Sequence, residues 1–455
     1  METQLKKKYG LPTAIAMVVG IVIGSGVFFK AESILKATGG NLPMGILAWI
    51  IGGLIMVFCA CAFAVMATKY EYVNGVVDYA DVTVGKKYGY YIGWFLATIY
   101  YPAITSVLAW VSARYLCVLI GFDIVGPECM IISMFFLVMS YGMNALAPKL
   151  AGKWQVSSTI IKLIPIGLMA VVGTIVGLSN GMTVANFTSA AQTVIDGSSP
   201  LFKAIVATAF AYEGWIIATS INAELRDAKK NLPIALVVGS LVIILVYILY
   251  YVGIAGGVDK ATLMESGENG ARIAFSNIFS EVGGTILFVF VVISCLGTLN
   301  GLMMGCTRGF YALAARGIGP APHVFSQVDK ATNMPTNASV MGAMLAAFWL
   351  LYFYGANLTA PWFGPFCFDS SELPIVTLYA MYIPMFIMFM KKERDLTPFK
   401  RIVLPLLAVC GSLFMVIAAI FAHGMAVAYY LIIFVVIMLV GVLFAKPSNI
   451  GQVKE

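Results

Sequence analysis

Gly20-Ile21-Val22-Ile23-Gly24-Ser25-Gly26-Val27-Phe28 lies inside the first long apolar stretch, and Phe210-Ala211-Tyr212-Glu213-Gly214-Trp215 lies inside the sixth. Each interrupts a segment otherwise suited to cross a bilayer. Glycine costs a helix interior about 1 kcal/mol relative to alanine, so Gly24-Ser25-Gly26 invites unwinding at mid-membrane. Glu213 puts an ionisable group at similar depth, which is costly unless it faces a cavity or a partner. Either break alone also reads as close helix packing. Gly20-xxx-Gly24 is a helix-contact spacing, as are Gly173-xxx-Gly177 and Gly301-xxx-Gly305. Position decides between the two readings. Spans one and six open two possible five-helix units, and interrupted segments at matching places in two halves point to a transporter binding site. Five is odd, so the second unit enters the membrane from the opposite side. The pattern predicts an all-α polytopic membrane protein with a 5+5 inverted repeat and two extra helices.

Composition agrees. Of the 455 residues, 61% are apolar and 11% charged, whereas soluble proteins run to about 45–50% and about 25%. A soluble enzyme, a disordered chain and a nucleic-acid binder are excluded. At about 20 residues per crossing, hydropathy gives twelve spans: 12–36, 44–68, 89–118, 127–146, 154–178, 200–222, 232–256, 274–314, 337–355, 368–390, 402–422 and 426–445. The stretch 274–314 is too long for one crossing and reads as a tilted span continuing into the cytoplasm. The expected organisation is a cytoplasmic N-terminus (1–11), a first repeat (12–179), a second repeat (197–390), two added helices (402–445) and a cytoplasmic C-terminus (446–455).

Charge sets the orientation. Lys6, Lys7 and Lys8 precede the first span and place the N-terminus in the cytoplasm. Most of the 28 basic residues then fall in cytoplasmic loops. The exceptions are Lys30, Lys36, Arg114, Lys162, Lys203, Lys260 and Arg272. This bias accounts for the net charge of +7 without an anionic partner. The first apolar stretch is too long for a cleavable signal and ends in no small-residue cleavage site. Cys117 and Cys129 flank a short external loop, either as a disulfide or as two buried thiols. With no Cys-x-x-Cys pair and two histidines on opposite sides of the membrane, neither a metal site nor a catalytic set is expected, and no cofactor. No phosphate-binding loop is present, which argues against an ATP-driven pump.

The breaks suggest their own chemistry. Unwinding exposes backbone N–H groups at a helix N-terminus, the positive end of the helix dipole, where a carboxylate binds. It also frees carbonyls that can accept from an ammonium. Together they would hold a zwitterion.

At these residues the chain resembles the amino acid–polyamine–organocation superfamily, with the LeuT-type fold. It is most similar to the L-type amino acid transporter branch, including bacterial serine/threonine exchangers. Ile23-Gly24-Ser25-Gly26-Val27-Phe28, Ile161-Lys162-Leu163-Ile164-Pro165, Phe210-Ala211-Tyr212-Glu213-Gly214-Trp215, Lys229-Lys230-Asn231-Leu232-Pro233 and Gly297-Thr298-Leu299-Asn300-Gly301 resemble five family motifs in the family's order. The resemblance implies that amides around Ser25, Gly26 and Val27 bind a substrate carboxylate. It implies that carbonyls near Ile23, Phe210, Ala211 and Glu213 accept from its amine, and that Phe210 is an aromatic lid on the outer side. Gly24, Tyr212 and Gly214 complete the expected pocket.

Lys162, roughly 12 Å inside the fifth span at 1.5 Å per residue, snorkels to the interface or stands as a fixed cation in the bundle. The resemblance implies the second, where sodium-coupled relatives hold an ion, with the ammonium bridging Gly20-Ile21 and Thr298. Whether it also carries a proton stays open. Glu213 is a proton site, a partner for a cation, or a polar residue facing a watery pathway. Tyr100 and Tyr101 occupy the place of a pathway aromatic. Asn300 is a helix–helix contact or a pathway contact. Asp369 and Glu372, spaced i,i+3 at the start of the tenth span, are solvated acids or an outer gate. Leu302 stands where some exchanger relatives carry a second lysine, so serine/threonine does not carry over as the substrate. The expected function is sodium-independent transport of small or medium neutral amino acids across the plasma membrane by alternating access. It would run as an exchanger or a proton symporter. Cationic amino acids or polyamines are the alternative substrates. A channel would need a continuous polar face, and the polar residues here cluster at mid-membrane.

Overall fold

The computed structural model describes residues 10–70, 75–189, 199–216, 225–357 and 361–445, and of Ile21 and Ala228 only the backbone. The expected cytoplasmic tails, with Lys6, Lys7, Lys8 and the 446–455 segment, lie outside these residues, as does the end of the sixth span beyond Ile216. Every regular element among the described residues is a helix.

The first span is two helices, α1 (Leu11–Val22) and α2 (Gly26–Ala37), separated at the predicted Gly24-Ser25. The rest follow as α3 (Leu42–Lys69), α4 (Val76–Thr83), α5 (Lys86–Ile120), α6 (Pro127–Leu146), α7 (Pro148–Ser179), α8 (Met182–Thr188) and α9 (Pro200–Ala211). After these come α10 (Ala228–Gly257), α11 (Lys260–Ser266), α12 (Glu268–Ala314), α13 (Pro322–Phe325) and α14 (Thr336–Asn357). The last are α15 (Leu373–Lys392), α16 (Phe399–His423) and α17 (Met425–Leu443). Among the described residues, ten helices are long and apolar enough to cross a bilayer. The expected first and sixth crossings miss that criterion because each is interrupted, so helix length alone does not give the count of twelve.

Local chemistry sets the boundaries. Asn41 accepts from the Met44 amide (3.0 Å) to start α3, with Pro43 in the first turn, and Asp259 accepts from Thr262 (3.0 Å) to start α11; such caps satisfy N–H groups that the helix cannot. α5 ends on Gly121 at φ +76°, a left-handed position that favours glycine. α12 begins six residues before the expected span and bends at Ser280 (φ 68°, ψ 166°) instead of running as one tilted rod. α7 begins at Pro148, six residues earlier than hydropathy places it. Lys162 is therefore roughly 21 Å along its helix, well beyond the depth the sequence suggests.

Two helices approach closely where glycines face each other. α7 and α10 cross at Gly173 and Gly177 against Gly253 and Gly256. A Cβ on Gly253 would lie 2.1 Å from the Met169 carbonyl oxygen, and one on Gly177 would lie 2.3 Å from Gly256 Cα. Thr174 also donates across this crossing to the Leu249 carbonyl (3.2 Å). The spacing is the small-residue packing device of membrane helices.

Call the side where α1 begins the near side and the opposite side the far side. On the near side, Arg316, just past α12, pairs with Asp78 and, at 3.0 Å, with Asp81 of α4. Burial pushes the Asp81 carboxyl above its ordinary range against the pull of Arg316. Lys69 of α3 pairs with Asp395 and, at 3.2 Å, with Glu393 beyond α15. On the far side, Cys117 and Cys129 are buried free thiols.

Replacing Gly253 by Val should destabilise the protein by about 1–3 kcal/mol, the usual cost of overpacking a close contact. Gly167→Ala, in the same pair of helices but with open space around its Cβ, should hold or slightly raise the melting temperature, since alanine suits a helix interior better than glycine. Thermal unfolding of the purified variants in detergent measures both.

Candidate functional site

The two breaks meet. Ile23 leaves the helical region (φ −65°, ψ 111°), and Gly214 turns the chain at φ +106° just past α9. A Cβ on Gly26 would lie 2.6 Å from Ala211 Cα, and one on Gly24 would lie 2.7 Å from Thr298 Oγ1. Glycine at both positions is what lets the first span touch α9 and α12. The Tyr247 hydroxyl, from α10, lies 3.1 Å from the Val22 carbonyl oxygen and 3.0 Å from that of Ala211 and donates to them as a shared donor. One side chain thus ties the last carbonyl of α1 to the last carbonyl of α9.

A cavity of about 540 Å³ opens beside this junction. Its lining includes Gly20 and Met17 of α1, Gly24, Ser25 and Gly26 at the break, Tyr100 and Tyr101 of α5, and Gln155, Thr159 and Lys162 of α7. Phe210, Ala211, Glu213 and Gly214 at the second break, and Thr298, Gly301 and Leu302 of α12, also line it. It extends along the first halves of α1 and α7 and the last part of α12, toward the near side. α2 starts with no side-chain cap, so the first amides of α2 lack intrahelical acceptors at the cavity wall. The Ser25 amide donates to Thr298 Oγ1 (3.3 Å), and Ser25 Oγ is buried with no partner.

Among the described residues, Glu213 and Lys162 are the two charged side chains of the lining. Glu213 faces the Tyr100 hydroxyl and the Gly214 amide. Lys162 is 3% exposed, and its ammonium makes no hydrogen bond or ion pair among the described residues. The expected bridge to Thr298 is not made: Thr298 Oγ1 donates instead to the Ser294 carbonyl (3.0 Å).

Other expected site residues lie elsewhere. Ile23 and Val27 are fully packed and do not line the cavity. Tyr212 points away from it: its hydroxyl donates to the Trp49 carbonyl (2.9 Å) and its ring stacks on Tyr247 at 5.2 Å. Trp215 packs on Phe63 at 5.6 Å, behind the site. Asn300 is a helix–helix joint, donating to the Ala151 carbonyl (3.2 Å) and Gln155 Oε1 (3.0 Å) and accepting from Asn144 (2.9 Å). Asp369 and Glu372 do not share a helix face, because α15 begins only at Leu373. Asp369 folds back to accept from the Ser371 amide and hydroxyl (2.7 and 2.5 Å).

Glu372 has a different role from a solvated acid. It is buried on the far side, where Lys30 Nζ of α2 lies 2.5 Å from its Oε1 and His423 Nε2 of α16 lies 3.0 Å from its Oε2. Lys30 also donates to Ser371 Oγ (3.1 Å) and sits over the rings of Phe29 and Phe210 at 5.0 and 5.4 Å. Phe210 is therefore cavity wall on one face and support for an ion pair on the other. Nothing local in the sequence joins positions 30, 372 and 423. The signal available was that Lys30 breaks the basic-loop bias.

A bundle with two broken helices meeting beside a cavity is the build of a secondary transporter. The profile of the amino acid permease family matches residues 9–443, and the chain belongs to that family. The Serine/threonine exchanger SteT of Bacillus subtilis (strain 168) is 29% identical over 426 residues, 90% of each chain. The human cystine/glutamate transporter is 25% identical over 342 residues, 75% of this chain and 67% of its own. The human large neutral amino acids transporter small subunit 2 is 26% identical over 338 residues, 73% and 62% respectively.

Tyr247→Phe leaves two carbonyls at the junction without their donor, so it should cost about 1–3 kcal/mol of stability. It should also weaken amino-acid binding more than Tyr250→Phe, whose ring packs on Phe28 at 5.3 Å away from the cavity. Thermal unfolding with and without ligand reads both effects.

Proposed function

We propose that this permease exchanges small or medium neutral amino acids across the plasma membrane without sodium, by alternating access, with both termini in the cytoplasm and twelve crossings. Lys162 carries the sodium-independent reading: a buried ammonium at the cavity wall with no acidic partner among the described residues supplies the positive charge that a bound cation would otherwise bring and repels a second one. The opposite signs of Lys162 and Glu213 leave the lining without net charge, which suits a zwitterion with a neutral side chain better than a cationic one. The relatives' names support this, since they include a serine/threonine exchanger and a large neutral amino acids transporter. The first amides of α2 are placed to receive the carboxylate and the Phe210 region to receive the amine. The cystine/glutamate relative argues against fixing one side chain by likeness.

With the cavity on the near side and Phe210, Lys30 and Glu372 packed on the far side, the structure fits an inward-facing state under this orientation, and the ion pair fits an outer gate. Purified protein in sodium-free liposomes loaded with unlabelled amino acid should take up radiolabelled L-serine or L-leucine by counterflow, and Lys162→Met should reduce this to background. Uptake strictly dependent on sodium sinks the reading. Accumulation driven by a pH gradient into empty liposomes would show proton symport instead of exchange. A thermal-shift panel of the twenty amino acids and several polyamines identifies the side chain, because a ligand that binds the folded state raises its melting temperature.

A further inference from the structure

The far-side ion pair recruits a helix that lies outside both repeats. Lys30 and Glu372 are 2% and 6% exposed, and a buried pair repays its desolvation only when its remaining bonding capacity is used. Here it is used. Glu372 Oε1 takes Lys30, and Oε2 takes His423 Nε2 at 3.0 Å. Lys30 adds Ser371 Oγ, which donates on to Asp369. His423 is the last residue of α16, where the negative end of a helix dipole also favours a cation.

We infer that His423 is a positioning residue of the far-side closure: its imidazole holds Glu372 in the orientation that receives Lys30, and its protonation tightens that closure. The inference rests on the alternating-access reading. Opening the far side draws Glu372 away from both Lys30 and His423, and the carboxylate then regains water in place of the two partners. An imidazolium loses more by that separation than a neutral imidazole, so the closed state binds the proton more tightly. By linkage, acid must favour closure.

The charged groups that act on His423 are Glu372 and Asp369 before α15 and Lys30 on α2. Burial of the ring and Lys30 oppose protonation, and the two carboxylates, Glu372 above all, outweigh them. Of the other helices packed on α16, α3 and α17 bring no charge to this end, and α9 brings Lys203, near which Phe202 stacks on Phe421 at 5.4 Å. Histidine is the side chain whose ordinary titration falls in the physiological range.

The test uses the full chain in liposomes with the same pH on both sides, so that no proton gradient drives transport. Counterflow of radiolabelled L-serine and L-leucine should fall by about fivefold or more between about pH 8 and about pH 5.5, with a rise in the far-side KM. His423→Gln, which keeps a hydrogen-bond donor without the charge, should give a flat profile. It should also match the wild-type rate at the alkaline end within about twofold. His423→Arg should be slow throughout. A second readout needs no substrate: a membrane-impermeant maleimide reacting with Ala31→Cys on α2 should lose at least the same factor at acid pH relative to the same cysteine in a His423→Gln background. A wild type flat in both readouts, or His423→Gln retaining the wild-type slope, overturns the inference. Wild-type labelling at Ala31→Cys that is unchanged by Lys30→Met would refute the outer gate itself, which is a separate failure.

Discussion

The structure depends on what happens to backbone groups that two helices give up in the middle of a membrane. In hydrocarbon an unsatisfied carbonyl or amide costs several kcal/mol, so a broken helix survives only where protein or a wet cavity supplies partners. Here the supply is shared. Tyr247 reaches the ends of both α1 and α9 with one hydroxyl, and Thr298 takes the Ser25 amide. Among the described residues the first amides of α2 have no intrahelical acceptor, and Gly26 at its start lines the cavity. Binding capacity is the remainder of a satisfaction problem, which is why a pair of helix breaks makes a candidate site.

The same economy governs charge. Seven basic residues do not fit the cytoplasmic bias. Lys30, Lys36, Arg114 and Arg272 pair with Glu372, Glu32, Glu268 and Glu281. Lys260 donates to the Ser189 carbonyl (2.9 Å), and Lys203 also has a partner. Lys162 is the member of the set without one among the described residues. A misplaced cation in a membrane protein is ordinarily explained by an acid beside it. Where no acid is found, the charge itself remains to be explained, and a cavity wall is where an uncompensated ammonium can still be solvated.

The breaks, most helix ranges to within a few residues, and Glu213 beside a cavity were legible in the sequence, whereas Lys162 as a cation inside the bundle and Tyr100 and Tyr101 on the pathway came from the family resemblance. The first three follow from local properties: glycine content, run length, or an ionisable atom at a depth where only a cavity or a partner tolerates it. What was not legible depends on direction after the helical period stops. Past Ala211 the chain turns, so the periodicity that would aim Tyr212 and Trp215 no longer applies, and both point into aromatic packing behind the site. Asp369 and Glu372 failed for a related reason: their spacing reads as one face only if the helix already exists at 369, and it starts at Leu373. Asn300 shows a third limit. A mid-span amide needs partners, but sequence cannot say whether they are substrate or the neighbouring Asn144 and Gln155. The Lys30–Glu372–His423 contact lies beyond all three, because its members come from α2, the start of α15 and the end of α16.

The two sides of the bundle are closed by different physics. On the near side, Arg316 and Lys69 hold their acids at the ends of α4 and α15 while the cavity beside α1 stays open. Those clasps are therefore compatible with an open pathway and brace the walls rather than seal it. On the far side the closure is narrow and layered: the Phe210 ring, then the Lys30 ammonium above it, then Glu372 with its two partners. A cation over an aromatic face is worth about 0.5–2 kcal/mol, depending on desolvation, and a buried pair nearly breaks even against its hydration. A seal made of such terms is cheap to open compared with an equal area of interdigitated aliphatic packing, yet it is specific in geometry, since each member is positioned by the next. That combination suits a barrier that must form and dissolve in every cycle.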